Sequence, residues 1–130
     1  MASSKRVLVV AGEASGDVHA ANLVRELKSL RPGFSFFGMG GSRMEAAGVE
    51  LIRSSEQLSV VGFAEVLSKL GKVRLAMSEL YRETLKRRPQ IAVLVDYPGF
   101  NLRVARLIRG FVPRIVYYIA PQVWAWGAWR

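Results

Sequence analysis

The sequence predicts an α/β protein built on a doubly wound, mainly parallel sheet, and three features carry that prediction. Val7-Leu8-Val9-Val10 and Ile91-Ala92-Val93-Leu94-Val95 are uninterrupted apolar runs rich in β-branched residues, as expected of strands covered on both faces. Between such runs lie stretches with apolar residues three and four apart, the spacing of helices that cross over a sheet. The first run passes through a turn of small residues, Ala11-Gly12-Glu13-Ala14-Ser15-Gly16-Asp17, straight into a helical stretch. Strand, turn and helix make half of a βαβ unit, and in such sheets ligands bind outside the carboxyl ends of the strands.

Taken in order, the first helix is expected over residues 18–30, with Leu23, Val24, Leu27 and Leu30 towards the core. Ser15 or Asp17 can cap its start, and Arg31-Pro32-Gly33 ends it. Residues 34–38 read as a second strand. Gly40-Gly41-Ser42 leads into a short helix over 43–47 that Gly48 stops, and residues 49–52 form a short third strand. The segment 58–70 is apolar with little polar relief, and a long helix grows out of it to about Lys86, with Val66, Leu70, Val73, Met77, Leu80 and Leu85 on one side. Pro89 closes that helix. Residues 91–96 are a buried strand ending on Asp96, followed by the turn 97–101. Asn101 can cap a helix carrying Leu102, Ala105, Leu107 and Ile108, which Pro113 breaks. Residues 114–120 are the last strand, and a tail with Trp124, Trp126 and Trp129 follows.

Composition narrows the function classes. A length of 130 residues suits one domain, and 51% hydrophobic against 22% charged residues excludes a disordered chain. With no cysteine there are neither disulfides nor thiolate metal sites, and a single histidine, His19, excludes a histidine-rich metal centre. No secretory signal and no membrane-spanning run are expected. Nineteen Lys and Arg against ten Asp and Glu leave a net charge of +9, which suits an anionic partner such as nucleic acid, an acidic lipid surface or a phosphorylated substrate; a solvated basic face would look the same. An aromatic tail is a poor end for a soluble domain, so the chain is expected to be part of a longer protein.

Two places can carry chemistry. The turn around Gly12 and Gly16 is neither a P-loop nor Gly-x-Gly-x-x-Gly, and its two acids, Glu13 and Asp17, oppose a phosphate lying on them. Its free N–H groups could receive a hydroxyl or an anionic group, or the turn could simply start a helix. Asp96 follows five apolar residues at a strand's carboxyl edge, where a carboxylate is costly unless used or paired. It is placed to act as a general base towards an alcohol, or to cap the next helix. The apolar segment 58–70 is either a buried connecting helix or an exposed surface for acyl chains or a bilayer, flanked by Lys69, Lys72 and Arg74.

Five stretches together resemble a known family: Ala11-Gly12-Glu13-Ala14-Ser15-Gly16-Asp17, Gly38-Met39-Gly40-Gly41, Val60-Val61-Gly62-Phe63-Ala64-Glu65-Val66-Leu67, Asp96-Tyr97-Pro98-Gly99-Phe100-Asn101-Leu102 and Ala120-Pro121-Gln122-Val123-Trp124-Ala125-Trp126. In this order they are similar to the N-terminal part of the lipid-A-disaccharide synthases, bacterial glycosyltransferases of the GT-B type. The resemblance implies that residues 1–130 are a Rossmann-like, acceptor-side N-terminal domain, itself incomplete, with a C-terminal UDP-sugar domain outside these residues. It implies condensation of UDP-2,3-diacylglucosamine with 2,3-diacylglucosamine 1-phosphate (lipid X), with inversion at the sugar carbon and release of UDP.

On the same basis Asp96 is the base that deprotonates the acceptor's 6-hydroxyl, and Glu13, Ser15, Gly16, Asn101 and Gln122 bind substrate. Leu58, Val61, Phe63, Val66, Leu67 and Leu70 form a membrane-facing, acyl-accommodating surface. No metal, no other cofactor and no nucleic acid are expected. The partners are the two lipid substrates, the missing domain and an anionic membrane, at the cytoplasmic face of the bacterial inner membrane. The 130-residue chain alone is expected to be inactive. A noncatalytic lipid- or nucleotide-binding α/β module, or an inactive fragment, would share the fold.

Overall fold

The computed structural model describes residues 5–12, 14–54, 64–96 and 98–118. Its elements run β1 (Arg6–Ala11), α1 (Ala14–Leu30), β2 (Ser35–Gly40), α2 (Ser42–Ala47), β3 (Val49–Ser54), α3 (Ala64–Arg87), β4 (Ile91–Val95), α4 (Pro98–Ile108) and β5 (Arg114–Tyr118). The five strands form one sheet in the order β3-β2-β1-β4-β5, and each neighbouring pair is parallel. The expected doubly wound α/β fold is therefore present, with a sheet that is parallel throughout the described residues.

β1 lies in the middle because it can cover two layers at once. Val7, Val9 and Ala11 pack with Ala20, Ala21 and Val24 of α1 and Met44 of α2. Leu8 and Val10 pack on the other face with Ala76 and Leu80 of α3 and with Phe100, Val104 and Ile108 of α4. Successive strand residues point to opposite faces, so an unbroken apolar run between two helical layers buries every side chain from Val7 to Ala11. Each of the four Val and Leu side chains contributes about 1.5–3 kcal/mol relative to exposure.

Several local expectations are corrected. Asp17 does not cap α1. Its buried carboxylate accepts from the backbone N–H groups of Gly41 (2.9 Å) and Met44 (3.0 Å) through Oδ1, and of Arg43 (3.0 Å) through Oδ2. These are donors at the start of α2, which has no side-chain cap of its own at Gly41. A Cβ on Gly41 would lie 2.5 Å from Asp17 Oδ2, so the close approach requires glycine there. Gly48 ends α2 at φ 109°, the left-handed stop expected of it.

α4 begins at Pro98, not after Asn101; proline suits a first helical turn because the N–H it lacks would have no partner there. With that start, Phe100, Val104 and Ile108 form the buried stripe, while Leu102 and Leu107 of the expected helix stand exposed. Leu30, at the end of α1, is also exposed. β3 runs two residues beyond the expected Ile52.

At the amino end of the sheet, Arg87 closes α3 onto β3. Its guanidinium donates to both oxygens of Glu50 (3.0 and 2.9 Å) and to Glu83 (2.9 Å), and lies 5.0 Å from the Phe37 ring centre. The Arg87 hydrogen bonds, and then its charge, hold the Glu50 carboxyl below its ordinary value of 4.5. The folded carboxylate thus keeps its charge to lower pH than the unfolded one. The pair's contribution is complete above the unfolded value and fades as pH falls through the folded one. Glu50 is largely exposed, so Glu50→Gln is expected to cost only about 0.5 kcal/mol at pH 7. Thermal melts should show the difference closing as the pH falls from the ordinary value of 4.5 through the lower folded one; a gap that persists once both forms are protonated would exclude the ion pair as its source.

Candidate functional site

The strand order reverses between β1 and β4, because β1 leads outwards to β2 and β3 while β4 leads the other way to β5. Chains that leave a parallel sheet in opposite directions open a crevice at the carboxyl ends of the two strands. Here those ends are Ala11-Gly12 and Val95-Asp96, brought together by the register Ala11↔Val95.

Asp96 is the half-buried residue at this rim, and its backbone is held from several sides. It has φ 51°, left-handed for a residue other than glycine, a region that aspartate tolerates better than most. Its N–H donates to the Tyr118 carbonyl at 3.0 Å. Its own carbonyl accepts from Asn101 Nδ2 at 2.7 Å and from the Tyr117 hydroxyl at 3.0 Å. A carboxylate carried on so constrained a backbone can take a proton from an alcohol brought into the crevice.

Asn101 is fully buried. Its Nδ2 also faces the carbonyls of Val95 (3.3 Å) and Val10 (3.5 Å), so it joins the ends of β4 and β1 from α4. Only the NH2 end of an amide can meet three carbonyls, which sets the orientation of the side chain. Its Oδ1 is buried without a hydrogen-bond partner among the described residues. The expected cap is thus a tie between strand ends, with a spare acceptor.

Gly16 is buried in the first turns of α1, where a Cβ would sit 3.4 Å from the Ala11 Cβ and 3.6 Å from the Val95 carbonyl oxygen. These are ordinary contact distances, so Gly16 lies close over the two strand ends without a steric demand for glycine. Ser15 beside it is exposed. His19 packs edge-on against Tyr118, with ring centres 6.1 Å apart, the packing role that a lone histidine ordinarily has. Glu13, Gln122, Leu58, Val61 and Phe63 lie outside the described residues; Val66, Leu67 and Leu70 belong to α3, but their side chains lie outside them too.

Tyr117 was not singled out from the sequence. Burial, with the Asp96 charge adding to it, pushes its phenol above the ordinary value of 10, so the hydroxyl remains a donor. The available signal was a tyrosine near the carboxyl end of a strand, but it has meaning only once β5 is known to lie beside β4 in the register Leu94↔Tyr117.

Residues 7–130 match the family profile described as lipid-A-disaccharide synthetase. The chain belongs to the lipid-A-disaccharide synthase family. Among curated family members, the Nitrosococcus oceani synthase is 48% identical over 128 residues, 98% of this chain and 33% of the relative. The Geobacter sulfurreducens synthase is 47% identical over 128 residues, again 98% and 33%. The Myxococcus xanthus synthase is 45% identical over 126 residues, 97% and 33%. The chain therefore spans about a third of the length of these family members. Among solved structures, the calicheamicin glycosyltransferase CalG4 is similar with a TM-score of 0.53 and 19% identity, over 88% of this chain and 32% of that one. At that identity the likeness speaks for the fold alone, an α/β architecture as expected.

Proposed function

We propose that this chain is the acceptor-side domain of an inverting glycosyltransferase that joins UDP-2,3-diacylglucosamine to lipid X, with Asp96 as the base. The observation that carries the reading is a carboxylate at the reversal point of the sheet, on a backbone pinned by β5 and α4. An inverting transfer in one displacement needs one base aligned with the acceptor hydroxyl, together with stabilisation of the leaving diphosphate. Glu13, Ser15, Gly16, Asn101 and Gln122 are the substrate-binding set around that base. Gly16 and Asn101 act by shaping the crevice wall, and the donor's diphosphate lies mainly on a C-terminal domain beyond these residues.

The reading is tested in a chimera, with this chain replacing the matching third of the Geobacter sulfurreducens synthase. The chimera is expected to form disaccharide from the two lipid substrates, and the 130-residue chain alone is expected to form none. A chimera that folds and binds both lipids without turnover would overturn the reading.

The domain also works at the cytoplasmic face of an anionic inner membrane in this reading. What supports it is the net charge of +9 and the apolar 58–70 segment leading into α3. Further along that helix, a groove of about 520 Å³ runs between α3 and α4. Val73, Met77, Tyr81 and Leu107 give it an apolar lining, and Arg103 and Arg106 flank it. No helix among the described residues is long and apolar enough to cross a membrane, so attachment would be to the surface. Replacing Val61, Phe63 and Leu67 together with serine is expected to lower binding to anionic liposomes about tenfold or more, since each side chain brings roughly 1–2 kcal/mol of apolar burial. Unchanged sedimentation with the liposomes would return this segment to the protein core.

A further inference from the structure

We propose that Tyr117 and Asn101 are positioning residues for Asp96, holding its main-chain carbonyl so that the carboxylate keeps one direction in the crevice. The inference rests on the reading of Asp96 as the base and adds the residues that aim it.

The conformation to be explained is the φ of 51° at Asp96. A left-handed residue other than glycine costs about 1–2 kcal/mol, somewhat less for aspartate, and persists only where its surroundings over-determine it. They do so here. The carbonyl accepts both Asn101 Nδ2, five residues on in α4, and the Tyr117 hydroxyl, 21 residues on in β5. The N–H is taken by Tyr118 on the same strand as Tyr117. If the peptide relaxed to an extended conformation, the Tyr117 hydroxyl would lose its acceptor in a partly buried site, and Asn101 Nδ2 would lose the shortest of its three contacts. Leaving a buried donor unpaired costs about 1–3 kcal/mol, enough with the lost Asn101 contact to offset the left-handed backbone, so the held state wins. Because the Asp96 side chain leaves that same Cα, fixing the peptide fixes where the carboxylate starts. A displacement of about 1 Å at such a group can cost up to about a hundredfold in rate.

Asn101 has a second duty towards Val10 and Val95, so its removal would disturb the strand ends as well. Tyr117→Phe removes one hydroxyl and keeps the ring, which makes it the sharper probe. In the chimera it is expected to lower kcat about tenfold while KM for both lipids stays within about twofold. Tm should stay within about 3 °C, since one net hydrogen bond is worth about 1 kcal/mol. In an Asp96→Glu background, where the carboxylate is already displaced by a methylene, the same change should lower kcat less than about twofold, because the two residues act as one unit.

Wild-type kcat in Tyr117→Phe, a loss carried by KM, or an equal loss in both backgrounds would each overturn the proposal. Full turnover by Asp96→Asn would instead remove the reading of Asp96 as the base. That result does not involve Tyr117, so the two failures can be told apart.

Discussion

Asp96→Asn in the chimera is expected to lower kcat about 10³-fold, within the range that loss of a general base produces. Asparagine has the same shape, is at ease in the left-handed conformation that Asp96 adopts at φ 51°, and keeps the backbone N–H and carbonyl that Tyr118, Tyr117 and Asn101 hold. The fold should therefore be unaffected and KM nearly so, which isolates the missing proton acceptor. Asp96→Ala should be as inactive and slightly less stable, because alanine is less comfortable at positive φ. Product formation by Asp96→Asn at more than about a tenth of the parent rate would mean that the proton leaves by another route.

Asp17→Ala is expected to have the largest effect on stability, about 2–4 kcal/mol, as three backbone donors lose a charged acceptor in a buried site. The donors are the N–H groups of Gly41, Arg43 and Met44, 24 to 27 residues away in sequence. For a domain of this size the loss corresponds to a fall in Tm of about 10 °C. Asp17→Asn should lose less, since its remaining oxygen can still meet the pair at Gly41 and Met44. A fall of no more than about 2 °C in the alanine variant would fit a local cap of α1, for which substitution costs about 1 kcal/mol or less, and would contradict the role in α2.

Asp17 and Asn101 fail as sequence predictions for a shared reason. Both stand at a helix start, where a short polar side chain ordinarily bonds its own backbone, and local reasoning assigns them there. In the folded protein each reaches another element, Asp17 to the start of α2 and Asn101 to Val10, 91 residues away. No local pattern encodes a partner at that distance. Leu102 and Leu107 illustrate a related limit, because their hydrophobicity marks a helix without saying which face it buries. Once α4 starts at Pro98, the face that meets the sheet passes through Phe100, Val104 and Ile108.

What the sequence by itself determined is therefore the class of fold and the position of the acid. Apolar runs without alternation require strands covered on both faces, helical spacing between them requires crossovers, and Asp96 must then fall at a strand's carboxyl end. What only the tertiary structure decided is that β4 lies beside β1, where the strand order reverses, and that β5 then sets Tyr117 against the Asp96 carbonyl. The physical reason is range. Helix and strand periods act over a few residues, whereas strand order and register follow from which faces the whole chain can bury at once.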